Sequence, residues 1–304
     1  MASNIVILPT LGDFSMIPLV NRRKTQLSLA FPSSVLQPIR NNLVATLRLA
    51  EIARAAAIFR VDEILVYLER DRPADRRLQR FVALILDYLA TPQYIRKRAF
   101  GMSRDLRYAG ALPPLRTPNQ LVPASEGQVK LGDIREGIMT GIGPKATVDV
   151  GLGPEFSLDS PRSSLKLGTR GLFRLVNVEQ RRVEAAEWDD LNVYWRYRVS
   201  APTTSIRGVL GARNGWLKIG TSRYGDPLSG SEESLRRLAN ERGRALLVFG
   251  SPSHGLREIL AEEKINVRDA FDLTLNTAIG QGVATVRTEE AVLISLSVLN
   301  EVLD

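Results

Sequence analysis

The fold is decided by the stretch Leu246-Leu247-Val248-Phe249-Gly250-Ser251-Pro252-Ser253-His254-Gly255-Leu256. Its first four residues are all apolar, which is typical of a strand that is buried on both faces of a parallel sheet. A loop of Gly, Ser and Pro follows, and the pattern then predicts a helix over 256–264. Strands that alternate with helices in this way predict an α/β fold with a parallel sheet.

A second loop of the same kind lies further along the chain. The pattern predicts a strand over 271–275, a Gly-rich loop Asn276-Thr277-Ala278-Ile279-Gly280-Gln281-Gly282, and a final helix from about 288. Open α/β sheets usually bind ligands in loops at the carboxyl ends of their strands. The glycines in both loops leave backbone groups accessible to such a ligand.

The rest of the α/β pattern surrounds a different middle part. Further strands are predicted over 26–31, 61–68, 193–199, 216–220 and 245–249, and helices over 43–59, 75–90, 203–210 and 231–242. The pair Asn41-Asn42 is predicted to cap the first of these helices, and Ser231 is the predicted N-cap of the last. The strand over 216–220 is predicted to end in a loop that spans 221–227.

The helical period disappears between 127 and 187. Short alternating segments at 128–131, 145–150, 171–176 and 182–185 are separated by glycines. This pattern predicts a small five-stranded barrel of the OB type, and an SH3-like barrel fits the pattern nearly as well. We therefore predict a discontinuous α/β domain, formed by 1–118 and 188–304, that is interrupted by a barrel domain over 119–187.

Composition excludes several kinds of site. The 304 residues include no Cys and one His, so disulfides, thiol nucleophiles, Cys-ligated metals and a two-His metal site are excluded, and we predict no metal. The N-terminal apolar run precedes its basic residues instead of following them, which argues against a signal peptide. No apolar run approaches the roughly 20 residues of a membrane span. We expect a cytoplasmic protein without membrane contact.

The net charge of +8 favours a polyanionic partner, most simply RNA. Of the 41 basic residues, 34 are arginine, and guanidinium groups match phosphate oxygens and stack on bases. A general arginine bias with solvated charges is the alternative. Basic and aromatic residues interleave near residue 100, where a helix with inward aromatics and solvated arginines is equally consistent with the pattern. The predicted RNA-binding residues there are Tyr94, Arg96, Lys97, Arg98, Arg104 and Arg107.

Two motifs that resemble known sites fail on their context. Gly141-Ile142-Gly143-Pro144-Lys145-Ala146 matches a relaxed dinucleotide pattern, but alternating residues follow it instead of a helix, so we interpret it as a barrel turn. Ser251, Ser253 and His254 lack the G-x-S-x-G elbow of serine hydrolases. We therefore expect His254 to be a loop residue near a helix start.

The C-terminal residues resemble those of the SPOUT-class RNA methyltransferases. The motif N-x-x-x-x-Q-G-x-x-T-[VI]-R-T-E-E-A runs from Asn276 to Ala291, and Thr221 to Gly225 and Val248 to Gly250 add to it. The most similar branch is the archaeal and eukaryotic one, in which an OB-like domain interrupts the methyltransferase domain. The resemblance implies a trefoil knot in the parallel sheet, a homodimer, and S-adenosylmethionine as cofactor.

The resemblance also implies where the cofactor binds. The loops would be 221–225, 249–255 and 275–291. The cofactor-binding residues implied are Thr221, Ser222, Phe249, Gly250, Gly255, Leu256, Leu275, Asn276, Ile279, Gly282, Thr285, Val286 and Ala291.

Family members of this branch methylate uridine N3 in large-subunit ribosomal RNA, and the resemblance implies that substrate here. S-adenosylmethionine carries an activated methyl group, so the protein must align donor and acceptor and help N3 lose its proton. Arg223 would stabilise the uridine anion, Glu290 would accept the proton, and Asn276 would orient base or cofactor. Each has an alternative: Arg223 on phosphate, Glu290 at a helix start, and Asn276 closing a turn.

Two other functions stay open at this point. The chain can be an RNA-binding or ribosome-assembly factor that keeps the fold without activity, or a methyltransferase that acts on transfer RNA. Binding of S-adenosylmethionine separates the first from an enzyme, and the identity of the modified nucleoside separates the second from a ribosomal RNA methyltransferase.

Overall fold

The computed structural model describes residues 20–122, 126–159 and 166–304, and these fold into two compact units. The first contains the described parts of 1–21, 91–104 and 116–195, and the second contains 22–90, 105–115 and 196–304. The predicted N-terminal apolar run lies almost wholly outside the described residues.

The strands are β1 (Gln26–Pro32), β2 (Glu63–Tyr67), β3 (Ile134–Met139), β4 (Thr147–Asp149), β5 (Phe156–Asp159), β6 (Arg170–Asn177), β7 (Arg182–Ala186), β8 (Arg198–Ser200), β9 (Leu217–Pro227), β10 (Arg244–Val248) and β11 (Leu273–Asn276). The α-helices are α1 (Asn42–Ile58), α2 (Pro73–Ala90), α3 (Gln93–Phe100), α4 (Ile206–Gly211), α5 (Glu232–Arg242), α6 (Leu256–Glu262), α7 (Val267–Ala270) and α8 (Thr288–Leu303).

The second unit is built on a six-stranded parallel sheet in the order β11–β9–β10–β1–β2–β8. The predicted α/β fold with a parallel sheet is confirmed. Leu246, Leu247 and Val248 are fully buried. Leu247 packs in the core that includes residues of α1, α2, α5 and α8, whereas Leu246 and Val248 pack with α4, α6 and α7 on the opposite face. This double burial explains the continuous apolar run of the sequence.

One predicted helix cap is confirmed, and the other is confirmed in position but makes no capping bond. The Asn41 side chain accepts hydrogen bonds from the backbone N–H groups of Leu43 and Val44 at 2.8 and 3.3 Å. Ser231 stands at the corresponding position before α5, but its side chain makes no cap bond. A short helical turn precedes it, so its backbone is not extended as a capping residue requires.

The predicted loop at 221–227 is instead a continuation of β9. Thr274 of β11 pairs with Gly220, but the next residue, Leu275, pairs with Asp226. The segment 221–225 therefore leaves the ladder between two paired stretches. The ladder is interrupted directly after Gly220, which is where the sequence pattern predicted the end of the strand.

The chain passes between the two units around Trp195, which shortens a predicted strand. Of the span 193–199, only Arg198 and Val199 belong to a strand, which continues to Ser200. Val193 instead forms an isolated bridge with Asn21 in the first unit. The predicted strand is therefore divided at the point where the chain leaves one unit for the other.

The first unit contains a closed barrel in the order β3–β4–β5–β7–β6. The β5–β7 pair is parallel, and the other pairs are antiparallel. The segment Gly141 to Ala146 joins β3 to β4 as a turn, as predicted.

The barrel differs from the prediction in three segments. The span 128–131 is not a strand, whereas β3 and β5 were not predicted. In β3 the adjacent charged residues Arg135 and Glu136 are both buried, which hides the alternation. Arg135 Nε donates to the carbonyl of Val150 at 2.8 Å, and Glu136 accepts from Asn119 at 2.9 Å. Such bonds offset the cost of burying the two charges.

Gly225→Ala is expected to lower the free energy of unfolding by about 1–3 kcal/mol. A Cβ at this position would stand 2.6 Å from the carbonyl carbon of Leu275 and 2.7 Å from the carbonyl oxygen of Thr274. Denaturant unfolding measures the change. Gly230→Ala is the matched control, because its Cβ would meet no atom within 4 Å, and we expect a change below about 0.5 kcal/mol. Equal losses in both variants would contradict the close approach.

Candidate active site

Three loops follow adjacent strands at one edge of the parallel sheet. They are the excursion 221–225 in β9, the loop 249–255 after β10, and the loop 277–287 after β11. Since the strands are parallel and neighbours, their carboxyl ends lie side by side. The structure therefore brings together the three segments in which the sequence predicted the ligand-binding loops, although the first of them belongs to β9.

Hydrogen bonds join these loops to one another. Asn276 Nδ2 donates to the carbonyl of Arg223 at 2.9 Å, while its Oδ1 accepts from the Ala278 N–H at 3.0 Å. Arg223 Nη1 donates to the carbonyl of Ala284 at 3.3 Å. The Thr221 hydroxyl donates to the carbonyl of Val248 at 3.0 Å. Asn276 closes a turn and also fixes the backbone that carries Arg223.

The loop after β11 leaves its backbone open. Gly280 has a φ of +66°, and a Cβ at Gly280 or Gly282 would meet no atom within 4 Å. Within the described residues, no backbone N–H from Gly282 to Val286 donates a hydrogen bond. Ile279 and Val283 expose 64% and 58% of their surface. Apolar side chains beside free backbone donors suit a ligand with a flat, polar-edged ring.

Several residues predicted to bind the cofactor are structural through their side chains. Phe249, Leu256 and Leu275 are buried in the cores on either face of the sheet, and Ala291 packs partly against one of them. The Ser222 hydroxyl accepts from the Tyr224 N–H. Only backbone atoms of the three buried residues are left for a ligand. Gly250 and Gly255 lie in the loop after β10, and exposed Thr285 and half-buried Val286 precede α8.

Arg223 is the free cation of this site. Its guanidinium lies 4.9 Å from the centre of the Tyr224 ring, and that ring is itself 82% exposed. No carboxylate of the described residues lies within 4.0 Å of Arg223. Its remaining N–H donors are available to an anionic group.

Glu290 is committed to the start of α8. Its carboxylate accepts from the Arg287 backbone N–H at 2.9 Å and from the Arg287 guanidinium, which together form a capping box. These bonds hold the pKa of Glu290 below its ordinary 4.5. Neighbouring Glu289 is buried, with Arg48 at 2.6 Å. An ionised, hydrogen-bonded carboxylate of low pKa is a weak proton acceptor.

A further polar cluster, which no sequence motif predicted, lies at the same edge. His254 lies in the loop after β10, as predicted, and its Nδ1 is 2.8 Å from Glu69 Oε1. The Ser34 hydroxyl donates to the other oxygen of Glu69. Ser34 and Glu69 are the second residues after the ends of β1 and β2. Polar residues close to strand ends were the signal that would have found them.

The predicted RNA-binding residues occupy different environments. Tyr94 packs against Gly151, lies 4.8 Å from the Arg135 guanidinium, and donates to the carbonyl of Glu136; burial raises its pKa. Arg98 pairs with Asp149 and Glu155. The remaining ones are solvent-accessible to differing extents: Arg96, which bonds the Thr91 carbonyl, Lys97, Arg104, and Arg107, which stacks on Tyr108.

Two kinds of feature are absent from the part of the chain that the structure describes. No helix there combines the length and apolarity of a membrane span. No three or more Asp, Glu or His residues there are grouped so that they could hold a metal ion.

Comparison with known proteins gives the family. The family model described as "Putative RNA methyltransferase" matches residues 26–299. The chain belongs to this RNA methyltransferase family. An uncharacterized protein of Haloarcula marismortui is 34% identical over 290 residues, which cover 90% of this chain and 98% of that protein. The human 28S rRNA (uridine-N(3))-methyltransferase is 32% identical over 314 residues, which cover 91% of this chain and 78% of that protein.

The sequence identity of this chain to solved structures is lower than its identity to these relatives. The structure entitled "Structural insights into the 2-OH methylation of C/U34 on tRNA" has a TM-score of 0.34 and 15% identity, and the match covers 92% of this chain and 91% of that chain.

Glu290→Gln is expected to lower the free energy of unfolding of this RNA methyltransferase by about 0.2–1 kcal/mol near neutral pH. Because the folded-state pKa lies below 4.5, this contribution is present above the unfolded-state pKa and is lost as the pH falls through the folded-state pKa. Denaturant unfolding at several pH values measures it, with exposed Glu301→Gln on the same helix as control. A difference that persists in strong acid would contradict this role.

Proposed function

We propose that the protein is an S-adenosylmethionine-dependent RNA methyltransferase that methylates N3 of a uridine in large-subunit ribosomal RNA, in the cytoplasm. The family and the names of the relatives at about a third identity support this substrate. The observation that carries the proposal is the open loop after β11, which lies beside the free guanidinium of Arg223.

The three segments 221–225, 249–255 and 277–287 together form the proposed donor crevice. The hydrogen-bond donors of this crevice fit S-adenosylmethionine. Backbone N–H groups from Gly282 to Val286 can read the polar edge of adenine, and exposed Ile279 and Val283 can cover its face. Gly280 and Gly282 leave room next to the backbone. When bound, the cofactor supplies an electrophilic methyl group, so the protein has to align the acceptor and exclude water.

We propose different tasks for the polar residues of the site. Arg223 stabilises the uridine anion that forms when N3 loses its proton, because its free N–H donors face no carboxylate of the described residues. Asn276 is a positioning residue, since it holds the backbone carbonyl of Arg223. Glu290 caps α8 and does not accept the N3 proton, because its carboxylate oxygens already accept hydrogen bonds from Arg287.

For RNA binding we propose exposed cations without a described carboxylate partner. Lys97, Arg104 and Arg107 meet this condition and suit phosphate oxygens. Tyr94 serves the packing of the barrel unit instead of stacking on a base.

We propose that the barrel is an inserted domain of the OB type over 119–187, within a methyltransferase domain formed by 1–118 and 188–304. Its five strands lie between 134 and 186, in the order first–second–third–fifth–fourth, with a parallel third–fifth pair. For the second unit we propose the trefoil knot. The close passage of 274–276 along Gly225, followed by the return of α8 onto α1 and α5, supports it.

We also propose a homodimer formed through α1 and α8. These helices pack against each other, and Leu43, Leu47 and Leu293 on them each expose more than two fifths of their surface. Exposed apolar side chains gathered on one face are typical of a protein interface.

A strain that lacks the gene tests the proposed function. We expect nucleoside mass spectrometry of its large-subunit ribosomal RNA to show the loss of one 3-methyluridine, which the wild-type gene restores. Loss of a transfer RNA nucleoside instead would identify a transfer RNA methyltransferase. No lost nucleoside, together with no saturable binding of S-adenosylmethionine in calorimetry, would identify a factor without activity.

Arg223→Ala is expected to slow methyl transfer by about 100- to 1,000-fold while leaving the affinity for S-adenosylmethionine almost unchanged, since the charge acts on the uridine anion. Single-turnover methylation of RNA and calorimetry measure the two quantities. Arg237→Ala, which removes an exposed arginine of α5, is the control. Full methyl transfer by Arg223→Ala would remove Arg223 from the chemistry.

A further inference from the structure

A second polar group lies at the same sheet edge as the proposed donor crevice. The Ser34–Glu69–His254 cluster takes one residue from each of the segments that follow β1, β2 and β10. These three strands are neighbours in the sheet. His254 belongs to the loop 249–255, which also forms one wall of the proposed crevice. The cluster therefore lies next to the site through a shared loop.

The contacts of Glu69 fix the orientation of the imidazole. Glu69 is only 7% exposed, and its two oxygens face Ser34 and His254, the latter at 2.8 Å. A carboxylate accepts hydrogen bonds, so the neutral imidazole donates its proton from Nδ1. The lone pair then lies on Nε2, which makes no hydrogen bond to a described residue. The His254 side chain is 37% exposed, so a substrate can reach it.

The backbone of His254 is also held in place. Its N–H donates to the Ser251 hydroxyl at 3.0 Å, and its carbonyl accepts from the Ser251 N–H at 2.8 Å. Gly250 has no room for a side chain, because a Cβ would stand 2.8 Å from that same carbonyl. A ring fixed at both its backbone and its Nδ1 is oriented before a substrate arrives.

Three charged or titratable groups interact electrostatically with Glu69, the partner of the imidazole: Arg70, Arg72 and Tyr67. Arg70 pairs with Glu262 of α6, with Nε at 2.9 Å from the carboxylate, and Arg72 pairs with Asp75. The Tyr67 hydroxyl is buried and donates to the carbonyl of Phe249 at 3.1 Å, and burial raises its pKa well above 10. Each of these groups already has a partner.

We propose that His254 is the general base that removes the N3 proton of the target uridine, and that Glu69 is the positioning residue that orients it. This inference rests on the proposed function. As the lone pair of N3 forms the bond to the methyl carbon, the bond from that carbon to sulfur breaks with its electron pair on sulfur. The N3 proton goes to Nε2 and is later released to water. The imidazolium formed is stabilised by Glu69.

The test compares His254→Gln, Glu69→Gln and, as control, Glu301→Gln, which changes an exposed carboxylate of α8. In vitro transcribed large-subunit RNA is the methyl acceptor, and single-turnover formation of 3-methyluridine is the readout. We expect His254→Gln to be slower by about 100-fold or more at neutral pH and to lose the acid-side dependence of the rate on pH. Glu69→Gln is slowed less, and Glu301→Gln is nearly unchanged. Calorimetry with S-adenosylmethionine shows intact binding in all three.

A second acceptor separates proton removal from a structural role. Fluorine at C5 makes the N3 proton of 5-fluorouridine more acidic, so RNA transcribed with this nucleotide depends less on a base. We expect His254→Gln to methylate this RNA at least about tenfold faster than it methylates the uridine RNA. The wild-type rate is expected to change little. The same deficit on both RNAs, or a wild-type rate in His254→Gln, would overturn the role of His254. Absence of 3-methyluridine with the wild-type enzyme would overturn the proposed function and this inference together.

Discussion

The site depends on the close passage of two backbones at Gly225. The backbone of Thr274 to Asn276 lies so near to Gly225 that no side chain fits between them. This contact lets Leu275 and Asn276 pair with Asp226 and Pro227, while 221–225 leaves the ladder. Asn276 can then hold the carbonyl of Arg223, and the next loop opens beside it. A fold built without this approach would lose both the excursion that carries Arg223 and the anchored start of the glycine loop.

The sequence predicted those parts whose signals are local. The apolar run at Leu246 and the cap at Asn41 were both predicted, because each depends on the periodicity or chemistry of consecutive residues. The excursion in β9 was not, since it is fixed by pairing with a strand about 50 residues later. The Ser34–Glu69–His254 cluster was missed for the same reason, as three strands that are distant in sequence bring it together.

Arginine content alone is a poor guide to the RNA surface. Many guanidinium groups already face carboxylates, such as Arg70 with Glu262, Arg182 with Asp159 and Arg242 with Asp272. Exposed pairs of this kind contribute little to stability individually, at most about 1 kcal/mol. At the candidate site, Arg223 faces no carboxylate of the described residues, whereas Glu290 is already bonded to Arg287. Local partners, and not the net charge, decide which groups are left for a substrate.

Hydrogen–deuterium exchange of the loop after β11 tests the central claim most directly, which is that its unpaired backbone binds the methyl donor. The amides of Gly282 to Val286 have no acceptor among the described residues, so they are expected to exchange fast in the free protein. Saturating S-adenosylmethionine is expected to slow exchange there and in 249–255, while the barrel strands stay unchanged. Unaltered exchange in this loop under conditions where calorimetry shows the donor bound would contradict the account.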